Sequence, residues 1–221
     1  MQRVQLVFEL FQEAGLHDRR QDTITYVETI TSRQNALVRT FRALANRRGR
    51  QLLLEGPHLV DEALAAGVRV EIAALSTRLL ERRGGERTAE VRRLTDRLER
   101  AGARVVGVSE PVMAAISPAD TPSGLVAIAA HEAPGMEAVL KGPRMTTDKA
   151  TTSSTDHGAA LVLLVADVQD PGNLGAMIRT AEAAGATGVV ACGASADPYG
   201  WKALRGAMGS SLRLPVAGRP A

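Results

Sequence analysis

The residues best suited to chemistry lie in one short run, residues 167–184, DVQDPGNLGAMIRTAEAA. The apolar run ALVLLVA at 160–166 precedes it and predicts a strand buried on both faces. Such a strand delivers the next turn to the carboxyl edge of a sheet, where open α/β sheets bind ligands. Pro171 and Gly172 bend that turn, and Asn173 is placed to cap a helix over 174–184 by accepting its free amide protons. Gly175 allows a partner to approach closely, and a helix N-terminus favours an anion. Arg179 lies one turn further in, with Glu182 at i+3 able to hold its guanidinium. The group suits an anion-binding site at a sheet edge. It suits equally a capped helix with a surface ion pair, and the residues alone leave both open.

A second candidate is electrostatic. Between residues 31 and 58 there are six basic residues, Arg33, Arg39, Arg42, Arg47, Arg48 and Arg50, against one acid, Glu55. That is +5 in a chain whose total is +3. Apart from Lys141, Lys149 and Lys202, every basic residue of the chain other than histidine is Arg, whose planar fork matches phosphate oxygens. The stretch reads either as a solvated helix face or as a phosphate-facing surface.

The elements that must position these residues follow from periodicity. At 221 residues, with 45% hydrophobic and 23% charged residues, the composition is that of a folded globular chain. No apolar run approaches the roughly 18 residues of a membrane span. A single cysteine, Cys192, excludes an internal disulfide, and four scattered histidines form no metal-ligand pattern. The N-terminus lacks a signal-peptide pattern, so the reading is a cytoplasmic protein without a structural metal. Helical spacing is present over 2–14 and 34–46, and again after Pro57 up to the stop at Gly67. It returns over 90–101 and 110–116, while strands are predicted at 51–54, 68–75, 103–108 and 124–130. This alternation predicts an α/β fold with a largely parallel sheet. Residues 133–158 are polar and rich in Pro and Gly and read as a linker. Beyond the run at 160–166, a strand is predicted at 189–192, a helical turn at 199–205 and an extended piece at 211–216. Cys192, Trp201 and His58 read as core packing, a local core and a helix start.

Four blocks carry a resemblance. DPGNLGAMIRTAEAAGA closely resembles the first motif of the SpoU/TrmH family of RNA ribose 2′-O-methyltransferases. DPYGWKALRGAMGSSLRLPV resembles the segment that follows it, with Arg205, Gly209, Arg213 and Pro215 in place. ITSRQNALVRTFRALANRRGRQLLLEGPHLVDEAL is similar to the start of that family's substrate-binding domain, and VSEPVMAAISPADTPSGLVAIAA to its end. The blocks fall in order over residues 30–216.

The resemblance implies an α/β fold in two parts. An extension at 1–26 would precede a small ribosomal-protein-like α/β domain at 27–132 that grips structured RNA. A linker at 133–159 would lead to the N-terminal part of a knotted α/β methyltransferase domain at 160–221. It implies a homodimer, S-adenosylmethionine as methyl donor, and a 2′-O-methylated ribose in rRNA or tRNA as product. Asn173 and Arg179 match the residues that position the target nucleotide and assist its hydroxyl. Pro171, Gly172, Gly175, Glu182 and Gly209 match positions that build the motif, and Arg47, Arg48, Arg50 and Arg205 become RNA contacts. Guanidinium keeps its proton, so Arg179 is expected to act by electrostatics and phosphate anchoring rather than as a base.

One departure stands beside the match. In the family, the cofactor and knot motifs follow the LPV segment, and one carries a Ser-Leu-Asn-type sequence. The three asparagines here are Asn35, Asn46 and Asn173, so this chain is expected to lack most of the cofactor side and to bind the donor poorly. Sheet edges and apolar surface are expected to lie uncovered. Ala207 stands where many relatives have Ser. The competing readings are a non-catalytic RNA-binding protein and a subunit that completes a site with an intact relative.

Overall fold

The computed structural model describes residues 28–45, 49–80, 86–143 and 159–218, with the backbone alone for 86–88. The helix expected over 2–14, Arg47 and Arg48 lie outside the described residues. None of the described helices is long and apolar enough to cross a membrane.

The first unit is built from β1 (Thr29–Ile30), α1 (Ala36–Leu44), β2 (Gln51–Glu55), α2 (Pro57–Ala65), β3 (Val70–Ser76), α3 (Thr77–Leu80), α4 (Glu86–Arg100), β4 (Arg104–Val108), α5 (Glu110–Ile116) and β5 (Leu125–Ala130). Its strands form one sheet in the order β1-β4-β3-β5-β2. Side chains alternate across a strand, and the apolar residues follow that rule closely. Leu52 and Leu54 of β2, with Leu125, Ala127 and Ala129 of β5, face α2 and α4, whose Leu59, Val60, Val91, Leu94 and Leu98 are buried against them. Leu53, Val126 and Ile128 point the other way, onto Val38 and Phe41 of α1 and Val112, Met113 and Ile116 of α5. Each such Leu or Ile taken out of water contributes about 1.5–3 kcal/mol.

The sheet is mixed, which corrects the expectation of a largely parallel one. β1, β4 and β3 run parallel, but β5 is antiparallel to both β3 and β2. Periodicity reports which way side chains point, not which way a strand runs. Gly124, whose φ of +95° suits glycine, leads into β5, and its carbonyl accepts from the Ser76 amide at 2.8 Å.

The second unit comprises α6 (Met136–Lys141), β6 (Val162–Ala166), α7 (Pro171–Ala183), β7 (Gly188–Cys192), α8 (Trp201–Ala207), α9 (Ser210–Arg213) and β8 (Val216–Ala217). β6, β7 and β8 form a parallel sheet in that order. Helix α6 falls inside the stretch that composition reads as linker. It packs on β7 and β8, and a Cβ on Gly188 would sit 2.7 Å from Cγ1 of the buried Val139. β6 is not buried on both faces as its apolar run predicted. It is an edge strand, with Val165 buried and Leu164 66% exposed. The extended piece predicted over 211–216 is instead the turn of α9 followed by the short β8.

The two units meet through α8. Leu204 is fully buried in the core cluster that holds Leu52 and Leu54 of the first unit. The rings of His131, just after β5, and Tyr199, just before α8, lie 3.9 Å apart between centroids.

Candidate functional site

Helix α7 carries most of the residues singled out by sequence, and it begins earlier than predicted. Asp170 is its N-cap, its Oδ1 accepting from the Asn173 amide at 2.7 Å, so Asn173 is not the cap. Asp170 precedes a proline and is held extended, Pro171 suits the first helical position, and Gly172 continues the turn. Asn173 therefore sits inside the first turn with an exposed side chain.

Gly175 does admit a close partner, and that partner is α8. A Cβ there would run into the Ala203 carbonyl and lie 2.7 Å from the Ala207 amide nitrogen. Gly206 answers from α8, where a Cβ would meet the Gly172 carbonyl at 3.0 Å. Two glycines thus let the helices cross backbone to backbone and hold α7 fast.

Arg179 is exposed on α7, and its Nη1 donates to Met208 Sδ at 2.8 Å. Met208 (φ 50°) and Gly209 (φ 89°) are consecutive left-handed residues that turn the chain from α8 into α9. The expected Arg179–Glu182 pair does not form. Arg213 takes Glu182 instead, with Nε to Oε1 at 2.7 Å and Nη2 to Oε2 at 2.9 Å. A fork matched to both carboxylate oxygens outcompetes a single contact along one helix. Arg213 Nη1 also bonds Glu62 of α2, across the boundary between the units. Gly209 makes room for this, since a Cβ there would lie 2.8 Å from Glu62 Cβ.

Asn173 and Arg179 are six residues apart, about 9 Å along the axis and roughly 120° around it. Among the described residues no carboxylate lies within ion-pair reach of Arg179.

At the carboxyl edge of the second sheet, Asp167 holds a left-handed φ of 59° and accepts from the Ala194 amide at 2.6 Å. Ser195 Oγ accepts from the Val168 amide at 3.2 Å and donates to the Cys192 carbonyl at 2.7 Å. These bonds tie the loops after β6 and β7 together.

Two concave sites lie at the boundary of the units. One of about 340 Å³ is lined by Arg50, Gln51, His131, Glu132, Ser195 and Tyr199 among others. The other, about 730 Å³, is shared by Arg50, Arg69, Glu71 and Arg213. Neither is lined by Asn173 or Arg179. Burial lowers the His131 pKa against the pull of Asp197 and Glu132, and its Nε2 has no hydrogen-bond partner among the described residues. Burial raises the Tyr199 pKa, and its hydroxyl donates to the Val216 carbonyl at 2.9 Å.

The structure therefore gathers Arg179, Glu182, Gly209 and the Pro171–Gly172–Gly175 set around the α7–α8 crossing, and puts Arg50 elsewhere, at the boundary cavities. Arg205 is exposed, with its Nη1 3.8 Å from the buried Glu55. Sequence reasoning missed Met208, Glu62, His131 and Tyr199. Glu62 lies 151 residues from Arg213, and no periodicity carries a contact over that distance.

Residues 35–127 match the model of the MRM3-like substrate binding domain, and residues 160–220 that of the SpoU rRNA Methylase family. An uncharacterised tRNA/rRNA methyltransferase of Synechocystis is 35% identical over 193 residues, covering 86% of this chain and 61% of that protein. The 23S rRNA (guanosine(2553)-2′-O)-methyltransferase RlmP of Bacillus subtilis is 32% identical over 198 residues, covering 87% of this chain and 66% of RlmP. The chain thus spans less than two thirds of the length of either relative. The crystal structure of an AdoMet-bound rRNA methyltransferase from Sinorhizobium meliloti superposes with a TM-score of 0.66 at 26% identity, covering 87% of this chain and 64% of that one.

Proposed function

Because the chain belongs to the SpoU rRNA methylase family, we propose that it serves the transfer of a methyl group from S-adenosylmethionine to a ribose 2′-hydroxyl of ribosomal or transfer RNA. The observation that carries this reading is Arg179, an exposed cation on a firmly held helix whose guanidinium is met by a thioether instead of a carboxylate. The RNA-binding domain at 27–132, the methyltransferase domain at 160–221 with its knotted topology, the homodimer and the cytoplasmic location belong to the same proposal.

A ribose hydroxyl is a weak nucleophile at neutral pH, so the acceptor needs alignment and a fixed positive charge where its oxygen becomes anionic. Arg179 supplies that charge and holds the adjoining phosphate with its remaining donors; it removes no proton. Asn173, free of capping duty, presents an amide to orient the nucleotide. Arg50 and Arg205, with Arg47 and Arg48, add phosphate contacts on the flanking RNA. S-adenosylmethionine supplies an electrophilic methyl when bound. Neither boundary cavity is lined by Asn173 or Arg179, and the roles given to these two residues concern the acceptor.

The test is transfer of radiolabelled methyl from the donor to deproteinised rRNA by the full chain. The reading expects label in alkali-resistant dinucleotides, because a methylated 2′-oxygen cannot assist strand cleavage. Arg179→Lys should remove most of that activity, since lysine lacks the fork. Near wild-type turnover would remove Arg179 from its role. RNA binding without any label would favour a non-catalytic RNA-binding protein.

A further inference from the structure

We propose that Arg213 is a positioning residue that keeps Arg179 charged toward RNA by withdrawing Glu182 from it. The inference rests on the reading of Arg179 as a phosphate anchor. Glu182 follows Arg179 by three residues on α7, a spacing at which opposite charges pair along a helix. That pair would neutralise the guanidinium and occupy donors that a phosphate needs. In the structure, Arg213 occupies both Glu182 oxygens at 2.7 and 2.9 Å, and its third nitrogen is held by Glu62 of the first unit.

Arg179 is left with Met208 Sδ, a weak, uncharged acceptor that orients the guanidinium without neutralising it. One turn of chain arranges both outcomes. Left-handed Met208 lays its sulfur against Arg179, and Gly209 beside it leaves the space for the Glu62–Arg213 contact, since a Cβ there would lie 2.9 Å from Arg213 Nη1. Glu62 anchors the fork from α2, so the RNA-binding unit helps to set the charge presented by α7.

The experiment measures binding of pooled fragments of deproteinised large-subunit rRNA across a salt series. Arg179→Met and Arg213→Met should each weaken binding about tenfold. Each should also reduce the slope of log affinity against log salt by about 1, the signature of one lost phosphate contact. Adding Glu182→Gln to Arg213→Met should restore the slope and most of the affinity. A merely structural clamp would not be restored, because Glu62 would still lack its partner. Arg213→Lys keeps one charge but cannot fork onto Glu182. It should fall between the two and be restored in the same way, which keeps the test decisive if Arg213→Met does not fold. If Arg179→Met changes neither affinity nor slope, the phosphate reading falls, and the inference with it. If Arg179→Met weakens binding while the Arg213 variants do not, or Glu182→Gln restores nothing, the inference alone is overturned.

Discussion

The two sheets of this molecule are finished to different degrees. The five-stranded sheet carries helices on both faces, with alternate residues of β2 and β5 sorted into two separate cores. Among the described residues the three-stranded sheet has a single core cluster, and Leu161, just before its edge strand, and Leu164 within it are 54% and 66% exposed. Yet the residues proposed for chemistry lie on the less finished unit. Its helix α7 is held by α8, and α8 is anchored by Leu204 in the core of the other unit. The contrast teaches that the position of Arg179 is set partly by a sheet to which it does not belong.

The largest test of that coupling is Leu54→Ala, which opens a cavity in the first core and should lower stability by about 2–5 kcal/mol. The chain has one tryptophan, Trp201 on α8, so its fluorescence follows the second unit. The denaturation midpoint read by Trp201 should fall together with the midpoint read by far-UV circular dichroism. A Trp201 midpoint that stays put would mean that the units unfold independently.

Gly175→Ala comes next. The added methyl would press on the α8 backbone, at an expected cost of about 1–3 kcal/mol. The loss should be accompanied by weaker RNA binding, because Arg179 lies four residues further along the same helix. Unchanged stability would show that the crossing relaxes freely.

His131 sharpens the boundary itself. Its folded pKa lies below the ordinary 6.5, so the unfolded chain takes up the proton first. The stability it confers is present above 6.5 and is lost as pH falls from there through the folded value. Melting temperature should therefore drop on acidification, and His131→Phe should flatten that part of the profile. A profile unchanged by the substitution would leave the His131–Tyr199 contact without a part in joining the units.

The smallest effect is expected at Leu164→Thr, an exposed site where stability should change by about 0.5 kcal/mol or less. A loss of several times that would mean the face of β6 is covered in solution.

Much of the fold was legible because burial and periodicity are local. The helix starting at Pro57, the helix Glu110–Ile116 and the strand before Asp167 follow from spacing alone. Three of the departures share one cause. β5 runs against its neighbours, β6 is an edge, and Val139 ties α6 to β7, and each of these depends on what lies alongside rather than on what lies next in the chain. The cap of α7 departs for a local reason: Pro-Gly predicts a turn, whereas Pro171 is already the first helical residue.

The candidate site divides in the same way. The order of residues along the chain says which side chains are available: Asn173 and Arg179 on one helix, Gly175 within it, and an Arg-rich stretch upstream. Types and spacings of that kind are written along the chain. How the charges pair depends on contacts between elements far apart in the chain. A carboxylate three residues from Arg179 is its natural partner within one helix, but Arg213, turned in by Met208 and Gly209 and steadied by Glu62, offers a better-matched fork. Charge pairing is settled by geometry across the fold, and the nearest residue in sequence loses to the one that can present two bonds at once.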